Sequence, residues 1–194
     1  MSWIENLLIV AGASLDIFAS MECQGSLVSK VNKRQLLGIC VLIAVCQLVA
    51  MYVGYFLAEL VCRKNPVSDE AILGEILSVI IFLGLGIRLI IKAIRNERIE
   101  EHLQQKLDIK RMLVVTLMTG FNTILAGIAF GFLNTGLVAI LIMVVILTIL
   151  SFVAGVYTGY LFGFEQKTKV YVMGAILLWM ACIDVVVRLI NNLV

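Results

Sequence analysis

The sequence predicts an all-α polytopic membrane protein whose six transmembrane helices form a 3+3 inverted repeat. Three observations carry this. The 194-residue chain is 62% hydrophobic and 14% charged, with a mean hydropathy of +1.08, against about 45–50% apolar and about 25% charged in soluble domains. Its apolar residues gather into six runs, each close to the roughly 20 residues that cross about 30 Å of hydrocarbon. The second half also repeats small and polar residues of the first at a nearly constant spacing. An ordinary water-soluble domain is thereby excluded, and no sizeable extramembrane domain fits. The net charge of +2, from 15 Lys and Arg against 13 Asp and Glu, gives no basic surface for nucleic acid.

The first run, Leu7 to Leu27, lacks the basic flank and small-residue cleavage site of a signal peptide and is long enough to span, so it is expected to be retained as helix one. The second and third runs cover Leu36 to Cys62 and Ala71 to Ala93, and the single proline, Pro66, falls in the loop between them. The remaining runs are Met112 to Leu133, Leu137 to Phe164 and Val170 to Ile190. The chain reads as one membrane domain, 1–194, with a first three-helix repeat over 1–94, a charged connector over 95–111 and a second repeat over 112–194. Within the connector, NERIEEHLQQKLDIKR spaces Glu and Lys as on a solvated helix. Its lone histidine, His102, reads as a surface residue rather than a ligand.

Cytoplasmic loops hold the excess of Lys and Arg. Here Lys30, Lys33 and Arg34 lie in the first loop, Arg95, Arg98, Lys106, Lys110 and Arg111 in the third, and Lys167 and Lys169 in the fifth. The second loop has Arg63 and Lys64, and the fourth, Asn134 to Gly136, has none. Both termini are therefore expected outside.

A shift of 105 residues places Tyr157, Gly159 and Tyr160 on Tyr52, Gly54 and Tyr55, and the ladder Gly155, Gly159, Gly163 on Ala50, Gly54, Ala58. Small residues four apart let helix backbones approach closely, so helices two and five are expected to form the packing core of each half. A shift of 106 places Asn122 on Asp16 and Gly131 on Gly25, in helices four and one. Three spans per repeat is an odd number, so the second repeat enters the membrane in the opposite sense. In such transporters the binding site lies near the midplane where the repeats meet.

Polar groups within spans are costly and mark function by default. Asp16 and Asn122 sit midway along helices one and four. Ser20 follows Asp16 at i+4, and Thr119 and Thr123 flank Asn122. Carboxylate, amide and hydroxyl oxygens suit Mg²⁺, Ca²⁺ or Mn²⁺. The competing reading has Asp16 protonated, or hydrogen-bonded across the helix pair, and purely structural. Glu22 and Gln24 lie at the cytoplasmic end of helix one, as mouth residues or as a plain solvated end. In the third helix of each repeat, Arg88 aligns with Asp184 and Lys92 with Arg188. Asp184 and Arg188, i and i+4 on one helix, are expected to pair with each other, while Lys92 and Arg188 snorkel to opposite interfaces.

Five cysteines, Cys23, Cys40, Cys46, Cys62 and Cys182, include no CxxC and have no nearby histidine, and read as packing residues. No Gly-rich phosphate loop, activated nucleophile or paired catalytic carboxylates are present, so an enzyme is not expected. No cofactor is expected either. A divalent cation as substrate and the lipid bilayer are the expected partners, and a homo-oligomer stays open.

IVAGASLDIFAS, residues 9 to 20, resembles the first-helix signature of the manganese efflux pump family (MntP-like, within the lysine exporter superfamily), whose core is Ser-Met/Leu-Asp-x-Phe-Ala. TGFNTILAGIAFGF, residues 119 to 132, resembles the matching fourth-helix signature, and FLGLGIRLII, residues 82 to 91, is similar to the third-helix stretch. The likeness covers essentially the whole chain. It implies a bacterial inner-membrane exporter of Mn²⁺ with Asp16 as a principal residue. The chain departs from the pattern at Asn122, where the family has a second Asp, at Met51, where it has Pro, and at Lys92, where it has an acidic residue. In helix six the basic and acidic residues are reversed as Asp184 and Arg188. One carboxylate instead of two leaves a bound dication with a net +1, which is costly in hydrocarbon. Two readings follow: a secondary exporter of a divalent cation, or a non-transporting, partner-binding relative of the sporulation-associated type on the same scaffold. Export of another small solute also fits the superfamily.

Overall fold

The computed structural model describes residues 3–27, 33–64, 70–94, 109–133, 135–163 and 167–193. His102, Pro66 and residues 95–108 of the connector lie outside the described residues, as does the short helix expected there. Six helices follow in order: α1 (Trp3–Gly25), α2 (Lys33–Lys64), α3 (Glu70–Ile94), α4 (Ile109–Phe132), α5 (Leu137–Phe162) and α6 (Lys167–Leu193). All six are long and apolar enough to cross a membrane, and no strand occurs among the described residues. The apolar runs fix the elements because, in hydrocarbon, a chain must satisfy its backbone groups internally. Polar ends merely extend them: α4 starts at Ile109, so Lys110 and Arg111 form its first turn instead of ending the connector.

Each fully apolar helix has two surroundings to satisfy. One face packs inward around Phe82, Phe130 and Phe152, all fully buried, with Phe82 and Phe130 edge to face at 6.2 Å. The other leaves large residues such as Leu117, Val138 and Leu161 exposed, as a lipid-facing surface does. This two-faced use explains why hydrophobicity alone marks the spans but not their neighbours.

The principal packed pairs are α2 with α4 and α5, α1 with α5, α6 and α4, and α3 with α6 and α4. Every one joins a helix of the first half to a helix of the second. Exchanging α1, α2 and α3 for α4, α5 and α6 maps this set of pairs onto itself. The expectation that α2 and α5 form the core within each half is therefore corrected: their small residues serve contacts between halves. Gly155 of α5 lies against α1, where a Cβ would stand 2.5 Å from the Phe18 carbonyl oxygen, and Gly159 lies against Glu22. Gly54 of α2 meets Ile124 of α4, and Gly127 of α4 meets Met51 of α2 with 2.5 Å between a would-be Cβ and its carbonyl oxygen. Gly163, the third rung of the α5 ladder, has nothing among the described residues within 4 Å of a would-be Cβ. It closes α5 at φ +75 instead, donating its N–H to the Gly159 carbonyl at 3.0 Å, a backbone shape that glycine adopts without strain.

Candidate functional site

Asp16 is the fourteenth residue of α1 counted from Trp3, and Asn122 the fourteenth of α4 counted from Ile109. The two are 1% and 4% exposed. The internal repeat predicts the two at one depth, and they are in direct contact, as the structural reading of Asp16 also expects: the Asn122 side-chain amide Nδ2 donates a hydrogen bond to Asp16 Oδ2. This contact lies at the crossing of α1 and α4, among close helix approaches that small residues permit. Beside it is a small cavity, with about 10 Å³ open to the centre of a water molecule, lined by Ala13, Asp16, Leu85, Leu89, Asn122 and Leu178. That volume is about what one water needs. The Asn122 carbonyl oxygen Oδ1 is buried and has no hydrogen-bond partner. A buried acceptor left unmet costs about 1–3 kcal/mol, and among the described residues none meets this one.

Lys92 changes the charge of this site. Its Nζ lies 2.7 Å from Asp16 Oδ1 and 3.0 Å from Oδ2. The lysine is 28% exposed and the aspartate 1%, so the pair joins a buried carboxylate to an ammonium on a partly open stem. The expectation that Lys92 only snorkels to the interface is corrected: its charge turns inward, because a buried carboxylate without a cation is far costlier than a bent lysine stem. Nζ also stands 5.9 Å from the centre of the Tyr171 ring. With one carboxylate and one ammonium, the site is formally neutral.

The other sequence-predicted residues do not all converge on Asp16. Ser20 shares a 3.4 Å hydrogen bond with the Tyr171 hydroxyl on α6. Thr119 and Thr123 turn to α2, where the fully buried Gln47 donates to Thr119 Oγ1 at 3.0 Å and accepts from the Thr123 hydroxyl. Sequence reasoning missed Gln47, although an amide alone in an apolar run was its signal. Glu22 is completely enclosed and Gln24 is 8% exposed, so the reading of a plain solvated end is set aside, and neither lines the Asp16 cavity. Arg88 places its guanidinium 5.2 Å from the centre of the Phe121 ring. Asp184 is exposed, and Arg188 reaches other helices: its Nη1 lies 3.7 Å from Glu5 Oε2 and its Nε 3.5 Å from Glu75 Oε1. The expected Asp184–Arg188 pair is thus replaced by two between helices. Glu5, Glu75 and Arg188 sit at helix ends expected on the same side of the membrane, a coincidence of depth that could have been read from the sequence.

Among the described residues, no three His, Cys, Asp or Glu side chains come together as a metal cluster. The polar lining of the cavity is Asp16 and Asn122.

The sequence is similar to one group of proteins. A family described as "Putative manganese efflux pump" matches residues 30–186. Relatives named "Putative manganese efflux pump MntP" include one from Acetivibrio thermocellus, 27% identical over 183 residues, which cover 94% of this chain and 89% of the relative. Another, from Mannheimia succiniciproducens, is 21% identical over 178 residues, 92% of each chain. A third, from Desulfitobacterium hafniense, is 26% identical over 175 residues, covering 90% of this chain and 89% of its own. No solved structure matches with significance. The family match extends over most of the six-helix domain, and the chain belongs to the Mntp family of multi-pass membrane proteins.

Proposed function

We propose that the protein is a secondary transporter that exports a divalent metal cation, Mn²⁺ foremost, across the bacterial cytoplasmic membrane with both termini outside. The observation that carries this reading is the buried Asp16–Asn122 pair lining a small midspan cavity, with Asn122 Oδ1 left without a hydrogen-bond partner among the described residues. Two hard oxygens at one depth suit a hard cation, and the relatives' names agree with Mn²⁺ as that cation. In an inverted 3+3 repeat of the kind read from the sequence, such a site would lie where the halves meet. Because every principal helix contact crosses between the halves, the halves cannot rock apart as separate bodies without opening the whole core. Access to Asp16 is better served by small shifts along the α1–α4 crossing and its neighbours. No enzymatic role is proposed.

A second reading has its own support: Lys92 neutralises Asp16 fully, so the triad of Asp16, Asn122 and Lys92 also suits a structural clasp in a non-transporting member. Reconstitution separates the two. Liposomes with the parent protein should pass Mn²⁺ to an enclosed metal-sensitive dye, while folded Asp16→Asn should fall to the rate of protein-free liposomes. Equal Mn²⁺ flux in parent and variant would remove the site from transport, and no flux in the parent would favour the clasp.

A further inference from the structure

Resting on that reading of the site, we infer that Lys92 is a tethered competitor for the cation: its ammonium occupies Asp16 in the empty protein, and substrate binds by displacing it. The geometry supplies the competition. The two oxygens contacted by Nζ, at 2.7 and 3.0 Å, are the same carboxylate oxygens that a metal beside Asn122 Oδ1 would need. Charge-assisted contacts of this length are strong, and both cations cannot share one carboxylate between the apolar walls of Leu85, Leu89 and Leu178. A dication added with Lys92 in place would leave the site at +2; with Lys92 withdrawn it would be +1, so binding and withdrawal are coupled.

The structure also provides for the displaced group. Lys92 lies two residues from the last residue of α3, Ile94, and its side chain is 28% exposed, whereas Asp16 is 1% exposed. Asp16 is fixed in the bundle, but a lysine stem near a helix end can carry its charge outward along the apolar surface. The Tyr171 ring, 5.9 Å from Nζ, offers a face that attracts an ammonium on the way. The tether therefore weakens substrate binding and assists release, since the returning ammonium restores the pair once the cation leaves. Transport needs binding strong enough for substrate to enter and weak enough for it to leave.

The test is Mn²⁺ titration at pH 8 of the purified full chain in detergent, comparing parent, Lys92→Gln, Lys92→Arg and Asp16→Asn, each shown folded and monodisperse. Lys92→Gln should bind about tenfold more tightly or better, because one competing unit charge is gone. Lys92→Arg should stay near the parent, and Asp16→Asn should lose binding. In liposomes the Gln variant should lower both the half-saturating Mn²⁺ concentration and the maximal rate, a split that simple misfolding does not produce. Equal or weaker binding by folded Lys92→Gln overturns the inference while the Asp16 site stands. Binding by none of the proteins overturns the site and the inference together. Should Lys92→Gln fail to fold, the parent alone decides: Mn²⁺ should raise modification of Lys92 by an amine-reactive reagent several-fold, and unchanged or reduced modification contradicts displacement.

Discussion

Replacing Gly127 by alanine tests whether close approach of α2 and α4 holds the bundle together. A Cβ at Gly127 would stand 2.5 Å from the Met51 carbonyl oxygen and 3.2 Å from Gly54 Cα. Backbone cannot swing away as a flexible side chain does, so the helices must part by at least 0.5 Å for that contact to reach 3.0 Å, the floor for real Cβ atoms. A gap of about 0.5–1 Å forfeits a quarter to a half of the dispersion energy of the contacts that it opens, and overpacking of this kind costs about 1–3 kcal/mol. Alanine returns part of this by its better helix propensity, about 1 kcal/mol. Gly120, on the same helix, meets nothing among the described residues within 4 Å of its would-be Cβ, so Gly120→Ala keeps the propensity gain without the clash. The two variants should therefore differ by about 1–3 kcal/mol in denaturant unfolding in detergent, Gly127→Ala being the less stable. Equal stabilities would refute the reasoning that glycine at this crossing is required by contact.

Asn122→Asp, which gives the site a second carboxylate, should tighten Mn²⁺ binding in detergent titrations, since ligand charge count tunes cation affinity; a folded variant with unchanged or lower affinity counts against a metal site between α1 and α4. Gln47→Leu should destabilise the protein by about 1–2 kcal/mol in the same unfolding assay, as two interhelical hydrogen bonds are lost. The cost stays modest because Thr119 and Thr123 keep bonds to the Thr116 and Thr119 carbonyls of their own helix, at 3.0 and 3.4 Å. Reporter fusions should place Lys33, Arg98 and Lys167 in the cytoplasm and both termini outside, given ten Lys and Arg in those three loops against two in the second; a C-terminal fusion active only in the cytoplasm would reverse the topology.

The spans were legible because hydrocarbon imposes a length and an apolar composition on each of them, and α5 begins at Leu137 as its apolar run does. That Asp16 and Asn122 belong together was legible for a different reason: a shift of 106 residues aligns them midway along α1 and α4, although only the packing of the two helices shows that they touch. Lys92 was not legible. Its distance along the chain from Asp16 is 76 residues, and local sequence says only that a lysine near a helix end can snorkel. Which way it turns depends on where the costliest buried charge lies, a property of the packed bundle. Likewise the glycine ladders announced close approach without naming the partner, and the interleaving of the two halves decided it. Arg188 found Glu5 and Glu75 rather than Asp184 because α6 turns Asp184 to the exterior, a rotation that spacing along one helix does not reveal.

Anomalous scattering at the manganese edge from crystals of the full chain grown with Mn²⁺ tests the central claim most directly. A peak between the Asp16 carboxylate and Asn122 Oδ1, absent from crystals of Asp16→Asn, is the predicted result. Well-ordered crystals at saturating Mn²⁺ with no peak there, or with the metal only at the Glu5 and Glu75 end of the bundle, would contradict it.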